Sequence, residues 1–256
     1  PVYVDCAADL NIDGRLIEAA ITPRTKAIMP VHVYGRPCDM VRIMEIAEHR
    51  KLYVVEDVSE AHGGFIGGVK LGAIGTVGCF SLYRNKIVHA EEGGVITTND
   101  AALAARMRDL KNMAFGERHD YQHGGIGFNY RMTDGQAELA LASLRRVGEN
   151  LELRAAITSW YDETFGKYAV PRPEGSVTWM YDFVLGNPAQ EKIVRTVPGA
   201  RHFFKPMSGQ PFAGERECSS LKAYYYSREG VYLPVREDMD REEVDLICRA
   251  ISKLAV

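Results

Sequence analysis

Short apolar runs alternate with helical patterns through the first half of the chain. PVYVDC reads as a strand, and Asn11 or Asp13 can open a helix over GRLIEAAIT. TKAIMPVHVYG then reads as a buried strand stopped at Gly35. In DMVRIMEIAEHRK, Met40, Ile43, Met44, Ile46 and Ala47 fall on one face, the spacing of an amphipathic helix. LYVVED is a continuous apolar run that closes on two carboxylates. The glycine-rich AHGGFIGGVKLGAIG predicts a β-hairpin, and VGCFSLY and GGVITT predict two more strands. This β-α-β-α-β order predicts an α/β fold with a mainly parallel sheet flanked by helices.

From DAALAARMRDLKNM onward the pattern becomes helical. Thr133 and Gln136 have the spacing of a capping box, which places a helix start near Asp134. The periodicity runs on through LRRVGENLELRAAITSWYDETFG with a break near Gly148. After Gly166, AVPRPEGS reads as a linker into a smaller unit, with strands near VTWMYDFVL and VYLP and a closing helix at REEVDLICRAISKLA. The expected division is therefore 1–165 for a large unit and 166–256 for a small C-terminal α+β domain.

Composition narrows the function classes. The 256 residues are 46% hydrophobic and 25% charged, ordinary for a soluble globular protein of one large domain, with or without a small appendage. Lys and Arg number 31 against 34 Asp and Glu, so no basic excess suggests a nucleic-acid partner. No apolar run approaches the roughly 20 residues that cross a bilayer, so no membrane partner is expected. The start lacks the charged and apolar regions of a signal peptide. Cys6, Cys38, Cys79, Cys218 and Cys248 are scattered without a CxxC pair, which signals neither a disulfide framework nor a zinc site. A reducing cytoplasm is the expected compartment, with Cys79 a small core residue.

In open parallel sheets, ligands bind beyond the carboxyl ends of the strands. Asp57 ends LYVVED, and Lys86 lies just past VGCFSLY, 29 residues later. Spacing alone favours a plain ion pair or a solvated lysine. It also admits the two poles of a pyridoxal phosphate (PLP) site, with the lysine as covalent anchor and the acid at the pyridinium nitrogen. A dinucleotide-binding module has little support, because no G-x-G-x-x-G follows a strand and GGFIGG sits in the hairpin.

Four ordered segments, VEDVSEAHGG, GCFSLYRNK with EGGVITTND, and GFNYRMTDGQAEL, resemble the DegT/DnrJ/EryC1/StrS family of PLP-dependent sugar aminotransferases. NKI followed by E-G-G most resembles its perosamine-synthase branch. The similarity is strong to about residue 160 and weaker beyond. The resemblance implies aminotransferase fold type I and transfer of an amino group from an amino acid, glutamate in most relatives, to a nucleotide-linked keto-deoxy sugar. It also implies a homodimer. Lys86 matches the lysine that carries the cofactor, and Asp57 the acid that keeps the pyridine nitrogen protonated. Glu60 stands where many relatives have glutamine near the cofactor's 3′-oxygen. Ser81 matches a serine bonded to the cofactor phosphate, and Asn129 an asparagine sent across the dimer interface to the partner's phosphate. Plainer readings exist for each: a helix cap for Asp57, a surface carboxylate for Glu60, a strand-end hydroxyl for Ser81, a turn for Asn129. His32 and His62 are as readily core histidines as substrate contacts.

The sequence also departs from the family pattern. Glu91 replaces a usual glycine, and Lys205 in HFFKPM replaces a usual aromatic near the substrate. Relatives carry a region ahead of the PVYVD strand that cradles the phosphate at a helix N-terminus. The chain therefore resembles the C-terminal part of a longer enzyme, expected by itself to bind PLP weakly or not at all. Two alternatives stay open. One is a dehydratase of the same fold, disfavoured because such relatives replace the lysine with histidine. The other is a non-catalytic, dimer-forming remnant.

Overall fold

The computed structural model describes residues 1–116, 121–185, 189–213 and 221–254. The first half runs α1 (Ile17–Ala20), β1 (Ala27–Ile28), α2 (Met40–Arg50), β2 (Tyr53–Asp57), β3 (Phe65–Ile66), β4 (Val69–Lys70), β5 (Val77–Ser81) and β6 (Gly94–Thr97). Its sheet has the order β1-β2-β5-β6, with the first two pairings parallel and the last antiparallel. The expected α/β architecture with a mainly parallel sheet is therefore present. β3 and β4 form the expected hairpin.

α2 starts where Asp39 accepts the amide of Arg42 and ends on Lys51 in left-handed conformation. Its predicted apolar face is the one it buries: Met40, Ile43, Ile46 and Ala47 pack with Ile17, Ile28 and Val54 under the sheet. Glu56, fully buried on β2, accepts the amides of Gly72, Ile74 and Gly75 and so ties the glycine-rich loop to the strand.

Three expectations need correction here. PVYVDC is not a strand; only Cys6 forms a bridge, to Ile12. Alternation makes a segment suited to a sheet, but a ladder also needs a neighbour. The helix over GRLIEAAIT shrinks to four residues, because Asp13 folds onto Arg15 and Asn11 is drawn to the carbonyls of Arg36 and Pro37. TKAIMPVHVYG forms only β1, since Pro30 has no N–H to continue the ladder. Pairing resumes at Val31 opposite Asp57, then turns at Val33–Gly35.

The second half runs α3 (Ala101–Lys111), α4 (Asp134–Arg145), α5 (Val147–Phe165), β7 (Tyr181–Val184), α6 (Ala189–Thr196), β8 (Arg201–His202), α7 (Leu221–Glu229), β9 (Gly230–Leu233) and α8 (Arg241–Leu254). The Thr133–Gln136 capping box is present in both directions, and the helix breaks at Arg146, two residues before Gly148. β7, β9 and β8 form an antiparallel sheet. α5 and α8 cover it with Ile157, Tyr161, Phe165, Val244 and Ile251 against Tyr181, Phe183 and Leu233. The two halves are joined by a buried ion pair, Arg36 Nη2 to the Asp182 carboxylate at 2.6 and 2.7 Å. Of the cysteines, Cys6, Cys38, Cys79 and Cys248 are free thiols, and Cys218 lies outside the described residues. Among the described residues, no helix is long and apolar enough to cross a membrane.

Candidate cofactor and active site

The parallel register places Asp57, the last residue of β2, beside Cys79, two residues from the end of β5. The chain leaves β5 at Ser81, loops back through Lys86 and returns as β6. That loop is closed by Leu82 N–H to the Gly93 carbonyl and by Lys86 N–H to the Tyr83 carbonyl. Lys86 is thereby fixed just beyond the carboxyl ends of β2 and β5.

Its side chain is held on two sides. The Lys86 Nζ lies 3.5 Å from Glu60 Oε1 and 4.1 Å from the centroid of the Trp179 ring. Both charged side chains are nearly buried, at 12% and 8% exposure. The other Glu60 oxygen accepts the Tyr34 amide at 2.9 Å. Tyr34 and Gly35 are in left-handed conformation, at φ 54° and 95°. Gly35 is required there, because a Cβ would strike the Val177 carbonyl, whose own amide donates to Gly35. Trp179 donates its indole N–H to the Asn85 carbonyl at 2.7 Å and stacks on Tyr34.

Burial pushes the Glu60 carboxyl up to about 7, while the Lys86 charge pulls it down and the Asp57 charge adds to the rise. Near neutral pH Glu60 is divided between its charged and protonated forms. The carboxyl thus lies within electrostatic reach of both Lys86 and Asp57, the two groups singled out from spacing. Asp57 Oδ1 accepts the Ser59 amide, and Oδ2 has no hydrogen-bond partner among the described residues. His62 is buried, and neither ring nitrogen has a hydrogen-bond partner within bonding distance among the described residues. Burial first, and then the Lys86 charge, push it down to about 4, so its ring is neutral at neutral pH.

The remaining candidates are placed as follows. Ser81 Oγ accepts the Tyr83 amide at 3.3 Å, which leaves its O–H as a donor. Asn129 is exposed on the segment after α3, where its Oδ1 accepts from Arg131 Nε, and no hydrogen bond joins it to Lys86, Asp57, Glu60 or Ser81. His32 is a satisfied core histidine: Nδ1 accepts the Cys38 amide, so Nε2–H donates to Glu56. Lys205 lines an open groove of about 580 Å³ with Tyr224, Tyr225 and Arg228. Glu91 adopts φ 62°, a conformation suited to the glycine it replaces. Trp179 was not singled out from the sequence. It sits two residues before β7, and one tryptophan in a strand-like run reads as core until Lys86 is laid against it.

The model of the DegT/DnrJ/EryC1/StrS aminotransferase family matches residues 1–252. GDP-perosamine synthase of Caulobacter vibrioides is 37% identical over 272 residues, covering 100% of this chain and 73% of its own. The crystal structure of a DegT DnrJ EryC1 StrS aminotransferase from Brucella abortus has a TM-score of 0.90 at 27% identity, covering 100% of this chain and 73% of its own. A putative sugar aminotransferase from Streptococcus pneumoniae, in its PLP form, shares the fold with a TM-score of 0.91 at 24% identity, covering 100% and 75%. The chain belongs to the DegT/DnrJ/EryC1/StrS aminotransferase family.

Proposed function

We propose that the chain carries out PLP-dependent transfer of an amino group from an amino acid, glutamate, to a nucleotide-linked keto-deoxy sugar. The observation that carries this reading is the nearly buried Lys86 amine. It is held against Trp179 and a carboxyl that titrates near neutrality, in a chain of this family. The residues present fit PLP. Among the described residues, His62 offers two buried nitrogens without partners, Asp57 an oxygen without one, and Ser81 an O–H, all near the ends of two adjacent strands.

PLP, when bound, supplies an aldehyde that an amine can join and a ring that accepts an electron pair. Lys86 must lose a proton before it can attack, and Glu60 is the group placed to receive it. As a free amine on a flexible stem, Lys86 would move a proton at the substrate carbon. With PLP bound, Asp57 would keep the ring nitrogen protonated through its charge, and Ser81 would donate its O–H to the phosphate. The Trp179 face shields one side of Lys86 from water. Asn129, exposed on the segment after α3, would reach the phosphate held by a partner copy. The exposed Ile126, Phe128, Leu139, Leu141 and Leu144 support such a homodimer.

Because this chain by itself is expected to bind PLP weakly, incubation with PLP in large excess, reduction with borohydride and peptide mapping test the assignment. The expected result is a pyridoxyl label on Lys86 that is lost in Lys86→Ala. A label only on other lysines, or none, removes it.

A further inference from the structure

Two buried polar residues of α5 are not used by the mechanism above. Asn150 and Arg154 are one helical turn apart on the same face, at 6% and 4% exposure. Asn150 Nδ2 donates to the Ile87 carbonyl and to Glu237 Oε1, both at 2.7 Å. Its Oδ1 accepts from Arg154 Nε at 2.7 Å. Arg154 Nη1 in turn donates to the carbonyls of Trp179 at 2.9 Å, Val235 at 3.1 Å and Thr178 at 3.4 Å. The result is one hydrogen-bonded line from the residue after Lys86, through Asn150 and Arg154, to the residue whose ring lies against Lys86.

A buried guanidinium is an expensive way to join a helix to a sheet, and a well-packed apolar side chain of similar volume often does as well or better. Farther along α5, Ile157 and Phe165 enter the core by apolar packing. What the polar pair adds is direction. Apolar packing tolerates sliding, whereas these bonds fix two carbonyls in distance and angle.

We propose that Asn150 and Arg154 are positioning residues that set the Lys86 amine against Trp179 by holding the backbone on both sides of it. The catalytic purpose of the tether rests on the reading of Lys86 as the cofactor-bearing lysine; the tether itself does not. Burial also lowers the Arg154 guanidinium to about 10, against the pull of Glu237, yet leaves it charged at neutral pH.

The test uses Asn150→Ser, Arg154→Lys and a control, Tyr161→Phe, which removes a buried hydrogen bond from the same helix to the Pro234 carbonyl. Reductive methylation with formaldehyde and a borane, followed by peptide mass spectrometry, reads the accessibility of Lys86 against that of Lys70 without any cofactor. Both α5 variants are expected to speed methylation of Lys86 about fivefold and to cut its pyridoxyl labelling by PLP and borohydride roughly tenfold, since small misplacements are costly to such chemistry. Tyr161→Phe is expected to change neither, at a matched urea midpoint. Should Arg154→Lys not fold, Asn150→Ser carries the comparison. Lys86 rates in the α5 variants equal to those of Tyr161→Phe overturn the proposal. Faster methylation, with no pyridoxyl label on Lys86 in the unaltered protein, upholds the tether and overturns its catalytic purpose.

Discussion

Replacing Glu60 with glutamine removes a titrating group while keeping an oxygen to accept the Tyr34 amide. In the folded chain this carboxyl is pushed from its usual 4.5 up to about 7, chiefly by burial. The folded state therefore holds the proton more tightly than the unfolded state. The stability this gives is complete below about pH 4.5 and is lost as pH rises through 7. The gap between the two values, at about 1.36 kcal/mol per pH unit, amounts to about 3 kcal/mol. His62 acts in the opposite sense. Its value falls from 6.5 to about 4, so its contribution is complete above pH 6.5 and is lost as pH falls toward 4. The two slopes oppose each other over most of the acid range, so the unaltered protein by itself is uninformative. Urea unfolding of the parent and of Glu60→Gln across the same pH series isolates Glu60, because His62 is common to both. The difference in unfolding free energy, parent minus variant, is expected to fall by about 3 kcal/mol between about pH 4 and about pH 8. In a Lys86→Ala background, the loss of the charge that pulls Glu60 down moves that fall to higher pH. A difference that stays level across the series refutes a carboxyl poised near neutrality, and with it the proton acceptor assigned to Lys86.

Three further outcomes are expected. The His62 ring should titrate by NMR with a midpoint near 4 in the folded protein, and His62→Phe should remove the matching loss of stability on acidification. Asp182→Ala leaves Arg36 buried and unpaired, and urea unfolding should show a loss of about 3–5 kcal/mol, while a double replacement of both by apolar residues recovers much of it. Asp5 accepts the amides of Lys222 and Ala223 at the start of α7, so Asp5→Ala should cost about 1–2 kcal/mol and speed hydrogen exchange in the first turn of that helix.

Local order was legible in the sequence wherever neighbouring residues decide it. The α2 face, the Thr133–Gln136 box, the glycine hairpin and the apolar strands β2 and β5 follow from periods and caps, which act over a few positions. The order of Asp57, Glu60, Ser81 and Lys86 at two strand ends was equally visible. Tertiary structure decided the rest, because the deciding partners lie far along the chain. Asn11 shortens α1 by turning to carbonyls 25 and 26 positions away. Trp179 reaches the Lys86 loop across 94 positions, and Arg36 meets Asp182 across 146. The sequence put Asp57 at the strand end and in the family's acid position, but what its neighbour Glu56 does came only from the fold. Alternation sends one into the core to bind three amides and leaves the other at the strand end with an oxygen free. Which acid is left with a free oxygen depends on the side of the sheet it faces, and only the folded chain sets what waits there.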